Sequence, residues 1–282
     1  MKFGIVFPNS GKTVDAELAA KAAVLAEESG FERLMTWDHY MGEHPEDSHA
    51  TFDAWTLLSF FAAKTSRIRL GTCVTPIPFR PPAQLAKVIA SVDVLSEGRV
   101  DPGIGAGWLQ AEFEGFSTWD DNETRFKKTK EGIELMLRLW SEPRVDFEGK
   151  YYSARGAVVE PKPVQKPHPP LWFGTLGRSM IRLAARVGDA WLPTYVPADT
   201  YAEGVKMIKD DIKEHSPGKK FTFAYNQFFP LKTAEEYFKA IESFVAVGCE
   251  AFIINWEYPK EEVLDRLRWF SKEIMPSYTG AR

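Results

Sequence analysis

The sequence predicts an α/β fold, a single-domain (β/α)8 TIM barrel over residues 1–282, and three observations carry that prediction. Apolar runs of strand length alternate with helical apolar stripes from end to end, and the strand-like runs number eight. Each strand-plus-helix unit takes roughly 35 residues, the size such barrels use. No linker, repeat or low-complexity tract divides the chain. An open doubly wound sheet shares the alternation, but eight units of this length favour the closed barrel.

The strand-like runs are, in order, "FGIVFP" (3–8), "RLMTW" (33–37), "IRLGTCV" (68–74), "RVDPGIG" (99–105), "LWFG" (171–174), "DAWLPTY" (189–195), "FTFAYN" (221–226) and "EAFIINW" (250–256). Between them, apolar residues recur every three or four positions, as one buried helix face requires: Val14, Leu18, Ala22 and Leu25; Leu85, Val88, Ile89, Val92 and Leu95; Ile133, Met136, Leu137 and Trp140; Val263, Leu267, Phe270 and Ile274. Gly30, Gly98, Gly188 and Gly248 stand where helices should close, because glycine accepts the left-handed cap. Residues 145–170 break the alternation. They read as an insertion before the fifth strand, a hairpin around Gly149 with a proline-rich extended return.

Composition narrows the function. With 44% hydrophobic residues the chain has material for a large core, and a net charge of −4 from 35 basic and 39 acidic residues supplies no basic stripe for nucleic acid. A small-molecule substrate is the expected partner, with no nucleic acid and no membrane. The two cysteines, Cys73 and Cys249, lie in apolar strand-like runs and suggest a reducing compartment. The N-terminal run is broken at Pro8 and no stretch approaches the ~18 apolar residues of a membrane span, so the expected location is cytoplasmic.

Barrel chemistry gathers on the loops after the strands. After the second strand, "TWDHYMGEHPEDSH" carries His39, His44 and His49 among acids, but spacings of five suit no metal motif, and no metal is expected. Asp38 and His39, directly after the strand, are the catalytic or cofactor candidates. After the third, "TPIPFRPP" ends the ladder, since proline lacks the donor, and Pro81 and Pro82 suit the first turn of the next helix. An ordinary stiffened loop is one reading. The other is a bulge at Cys73, Val74 and Thr75 that supports something flat. After the fourth, "GIGAGWLQAEFEGF" has Gly103, Gly105 and Gly107, but Trp108 stands where a dinucleotide fingerprint needs its spacing to continue. Alternating glycines there let a ligand approach the backbone, and Glu112 is equally a site acid or a surface helix residue. After the fifth, Gly174, Thr175, Gly177, Arg178 and Ser179 form either a helix cap or a phosphate site.

Taken together, "FGIVFP", "WDH", "LGTCVTP", "LSEGRV…GIGAGW…EFEGF" and "LWFGTLGRSMIRLAARVGDAW" closely resemble the luciferase-like monooxygenase family, most of all its branch using the deazaflavin coenzyme F420. The resemblance runs over nearly the whole chain. It implies a homodimeric barrel holding F420, or alternatively flavin mononucleotide (FMN), at the carboxyl ends of the strands. It further implies a non-proline cis peptide at Cys73-Val74 behind the cofactor's central ring. By the same carry-over Asp38 and His39 face the ring's polar edge, Gly105, Ala106 and Gly107 pass beside it, and Gly177 and Arg178, with Gly174 and Thr175, hold its phosphate. Glu43, Trp108 and Glu112 fall in the substrate pocket. Sugar-phosphate dehydrogenases of the family place an acid where this chain has Trp108 and a tryptophan where it has Glu43, which speaks against glucose-6-phosphate oxidation. Asp101 and Pro102 replace residues that are apolar in relatives, and the sequence offers no reason for them. The chain also lacks the long insertion that flavin-dependent monooxygenases use as a lid.

The expected activity is hydride transfer between deazaflavin and a small organic substrate, with His39 carrying the accompanying proton, since histidine ordinarily titrates near 6.5. Three alternatives stand beside it: an FMN-dependent monooxygenase, a non-catalytic flavin-binding barrel, and a flavin-free lyase or hydrolase using Asp38, His39 and Glu112.

Overall fold

The computed structural model describes residues 1–42 and 50–279, so Glu43, His44 and His49 lie outside the described residues. Eight strands follow the predicted order: Lys2–Phe7, Arg33–Thr36, Arg69–Thr72 continuing at Thr75–Pro76, Val100–Asp101 continuing at Gly103–Gly105, Trp172–Phe173, Ala190–Trp191, Thr222–Gln227 and Ala251–Asn255. All their pairings are parallel. The third and fourth strands pair twice, Leu70 with Val100 below their interruptions and Thr75 with Ile104 above. These two pairings form the two ends of the hydrogen-bonded strand order, so the sheet closes on itself into a barrel.

Register locates the bulge. Gly71 faces Asp101 and Thr75 faces Ile104, so residues 72–74 of the third strand oppose only 102 and 103 of the fourth. One extra residue sits in the third strand; of the two readings this is the bulge, which the resemblance implied. The peptide Cys73-Val74 is cis, as are Glu160-Pro161 and Lys166-Pro167.

Helices close the units as the punctuation suggested. The third-strand helix, Pro82–Leu95, has its proline in the first turn. Gly30, Gly98 and Gly248 have φ of 83°, 82° and 98°. Gly188 differs: it ends the helix Arg178–Val187 in extended backbone, φ −90°. Space makes it glycine, because a Cβ there would stand 2.6 Å from Phe173 Cδ2. Val14 precedes its expected helix, which runs Ala16–Glu28 from an Asp15 cap. Near that helix's end Glu27 accepts the amides of Ser66 (2.9 Å), Arg67 and Ile68 (2.8 Å), fixing the chain's entry into the third strand. Burial works against the Glu27 charge, but these amide hydrogen bonds prevail and lower its pKa. The insertion forms an antiparallel hairpin, Val145–Glu148 with Ser153–Ala157, closed by Gly149 N donating to Tyr152 O at 2.9 Å.

The structure supplies the missing reason for Asp101. Its side chain, 1% exposed, receives Arg33 Nε at 3.0 Å and Arg69 Nε at 2.7 Å, both arginines being the first residues of their strands. Arg33 also lies over the Trp172 ring, 4.3 Å from its centroid. Three strands are thereby clamped at the amino-terminal end of the barrel. Above the clamp Val6, Met35, Trp172, Ala190, Leu192, Ala224, Ala251 and Ile253 pack as one buried cluster.

Candidate active site

The second strand ends at Thr36, and the next residues enter the barrel mouth. Asp38 is brought to the site, but its carboxylate is buried and turned toward protein. Thr75 Oγ1 donates to it at 2.6 Å, and Arg80 grips it with two nitrogens at 2.6 Å each. Burial opposes the Arg80 cation, yet the hydrogen bonds and charge of Asp38 overcome this and raise its pKa. Arg80 also donates to Tyr40 Oη at 3.0 Å, and Trp55 Nε1 donates to Thr75 Oγ1 at 3.2 Å. Asp38 therefore ties the second-strand exit to the bulge and to the proline loop beyond it. Arg80 was not singled out from sequence, although a signal existed: it is the one Lys or Arg in the segments after strands two, three and four.

His39 stands beside this anchor. Its Nδ1 lies 3.0 Å from Glu112 Oε2, and its side chain is 26% exposed. Glu112, 1% exposed, comes from the short helix Gln110–Phe116 after the fourth strand, and its other oxygen accepts the Tyr40 and Met41 amides. Of its two readings, that of a surface helix residue does not hold, since Glu112 is buried. With Glu112 at Nδ1, the ring's Nε2 is left for a ligand. Trp108 is 61% exposed and meets the His39 ring edge-on at 5.8 Å.

The glycines after the fourth strand have a use that differs from the expected one. Val74 occupies their space: a Cβ on Gly105 would stand 2.9 Å from Val74 Cγ2, one on Gly174 2.6 Å from Val74 Cγ1, and one on Gly103 1.8 Å from Thr72 O. The bulge thus carries a valine knob into a three-glycine socket contributed by strands four and five. Thr72 Oγ1 donates to Gly103 O at 2.7 Å across the same seam. Gly107, with φ 82°, turns the chain over Phe113, and Ala106 packs partly against the core.

At the fifth exit Gly174 and Thr175 are half-buried and Gly177, Arg178 and Ser179 exposed. Gly177 caps the ten-residue helix without a side-chain bond, and a Cβ there would meet nothing within 4 Å. The opposite side of the mouth is aromatic. Tyr195, from the sixth exit, lies 4.4 Å from Phe228, and Phe228 stacks at 6.4 Å on Trp37, which projects from the second. Phe228 and its neighbour Phe229 were missed, because a pair of phenylalanines after a strand reads as core until its exposure is known.

Residues 1–275 match the model of the luciferase-like monooxygenase family. An FMNH(2)-dependent dimethylsulfone monooxygenase of Pseudomonas putida is 26% identical over 244 residues, 86% of this chain and 65% of that protein. An F420-dependent glucose-6-phosphate dehydrogenase of Microbacterium testaceum is 35% identical over 190 residues, 67% of this chain and 56% of that protein. The chain thus spans less than two thirds of the length of either relative. Among solved structures, an F420-dependent secondary alcohol dehydrogenase in complex with an F420-acetone adduct superimposes with TM-score 0.83 at 22% identity, covering 98% of this chain and 99% of that one.

Proposed function

We propose, from the premise that the chain belongs to the luciferase-like monooxygenase family, that it is an oxidoreductase that moves a hydride between bound F420 and a small organic substrate. F420, when bound, supplies the hydride donor or acceptor carbon. The residues present fit such a group. Gly177 leaves room for a phosphate at an uncapped helix start, with Arg178 beside it, and the first-turn amides there favour an anion. By resemblance, the bulge at Cys73, Val74 and Thr75 and the exit at Gly105, Ala106 and Gly107 lie beside the flat ring.

The observation that carries the reading is the His39–Glu112 pair at 3.0 Å. A buried carboxylate at Nδ1 fixes the imidazole's orientation and leaves Nε2 to take or give the substrate proton that accompanies the hydride. Asp38, held by Arg80 and Thr75, positions the segment that carries His39 and makes no direct contact with substrate. Trp108 walls the pocket beside it, and Glu43 belongs to the same pocket by resemblance. The protein acts as a homodimer, which sedimentation checks. The test is titration of the purified protein with F420 and with FMN, read by fluorescence quenching. F420 binding at least about tenfold tighter, a difference of about 1.4 kcal/mol, is expected. The dimethylsulfone monooxygenase, which covers more of this chain than the glucose-6-phosphate dehydrogenase does, favours FMN monooxygenation as the second reading; tighter FMN binding with oxygen uptake would replace the first by it.

A further inference from the structure

Asn226 and Asn255 stand where the barrel interior meets the mouth. Side chains alternate along a strand, so the residues two beyond Ala224 and Ile253, both in the interior cluster, face inward as well. Asn226 is 2% exposed and Asn255 0%. Their hydrogen bonds fix how each amide is turned. Asn226 Nδ2 lies 3.4 Å from Ile253 O, and a carbonyl only accepts, so it is the nitrogen of Asn226 that faces it. The same nitrogen donates to Asn255 Oδ1 at 3.2 Å. Asn255 thus turns its oxygen to Asn226, and its own Nδ2 is a buried donor with no partner. Leaving such a donor unpaired costs the desolvation of the group, which a bound acceptor would offset.

An aromatic bridge covers this end. Trp37 follows the second strand and Phe228 the seventh, and strands eight and one lie between those two in the sheet. The rings nonetheless stack 6.4 Å apart at 22°, both half-buried, with Trp37 packed on the interior cluster. They therefore span the side of the mouth where strands eight and one end, above Asn255. His39 lies the other way: Glu112, which it meets, comes from the fourth-strand exit, beyond strands two and three in the sheet. A ligand that reaches both has two polar points of attachment. The Asn255 amide carries no charge, and a neutral donor in a dry site does not compensate the desolvation of an ion, so its partner is an uncharged oxygen.

We infer that Asn255 selects the substrate: its Nδ2 donates to an uncharged oxygen, of the carbonyl or ether kind, that the substrate carries apart from the carbon exchanging hydride, and the Trp37–Phe228 bridge parts to admit it. That the occupant is the substrate rests on the hydride reading above; the binding at Asn255 does not.

Calorimetric titration of cofactor-free protein with cyclohexanone, and with methylenecyclohexane, which has the same shape without the acceptor, tests the inference. Asn255→Leu should weaken cyclohexanone about tenfold and leave methylenecyclohexane within about twofold, because only the ketone uses the donor. Asn255→Ala gives the same reading should the leucine variant fail to fold, since the comparison is between the probes in one protein. His39→Ala should leave the effect of the Asn255 substitution in place. Phe228→Ala, which breaks the bridge, should raise the association rate of cyclohexanone about threefold or more. Parallel changes for both probes, no binding of cyclohexanone to the wild type, or an effect that disappears in His39→Ala overturns the inference. Failure to bind F420 would overturn the function proposed above and leave this comparison standing, because it is made without cofactor.

Discussion

Gly174→Ala probes the socket that holds the bulge. The new Cβ would stand 2.6 Å from Val74 Cγ1, so either strand five or Val74 must move by about 0.8 Å to restore the 3.4 Å of ordinary contact. Overpacking of this kind costs about 1–3 kcal/mol, partly offset by the ~0.4–1 kcal/mol that alanine removes from the unfolded chain's freedom at a compatible backbone angle. The expected net loss is about 1–2 kcal/mol. Val74→Ala alone should cost about 1–2 kcal/mol, since the two methyl groups of this half-buried side chain leave the glycine socket. In the double variant the alanine methyl enters the space that valine vacated, so the combined loss should fall at least about 1 kcal/mol short of the sum. Urea unfolding of the four proteins reads these values. A displacement near 1 Å beneath a reacting ring lowers turnover by up to about 10²-fold, so Gly174→Ala should lose about 10- to 100-fold in turnover with F420, with recovery in the double variant. Additive stabilities within about 0.3 kcal/mol, together with unaltered turnover, would refute the socket.

Four further outcomes follow from other contacts. His39→Ala should lower turnover by roughly 10²–10⁴ while F420 affinity stays within a few fold, as stopped-flow and fluorescence titration would show. Glu112→Gln keeps the size of the side chain but removes the charge that faces Nδ1, and should lower kcat by about tenfold with little change in KM; equal falls in cofactor affinity would instead indicate a purely structural role. Asp101→Ala leaves Arg33 and Arg69 without their shared buried anion and should cost about 3–5 kcal/mol in urea unfolding, while kcat of the folded fraction is retained. Glu27→Ala should cost about 1–2 kcal/mol through its lost amide hydrogen bonds. Because the folded-state pKa of Glu27 is depressed, its contribution is present above the ordinary value of 4.5 and declines as pH falls below it, so the gap between wild type and variant should close on acidification.

The order of elements was legible because it depends on local pattern. Each of the eight strand-like runs overlaps its barrel strand, and the hairpin around Gly149 lies where the alternation breaks. The prolines marked where the third ladder stops but left a stiffened loop and a bulge both open, and the bulge itself came from the resemblance. What escaped were contacts between residues distant in sequence. Glu112 and His39 are 73 positions apart and Asp38 and Arg80 are 42, and no periodicity brings them together. The glycines of the fourth strand drew attention for the space they leave, but one chain cannot say what fills it; Val74 does, from another strand. Asp101 looked out of place for the same reason, since its two arginines begin strands two and three.

The interruptions of strands three and four lie side by side, and the pairing of Leu70 with Val100 beneath them does not depend on that of Thr75 with Ile104 above. The seam works like an expansion joint in masonry: the upper courses can be rebuilt while the footing stays in alignment. Exchanging residues 73–80 and 103–108 for those of another barrel of this kind should therefore reshape what the mouth accepts without forcing the lower sheet to find a new alignment, a modularity that suits one architecture to many reactions.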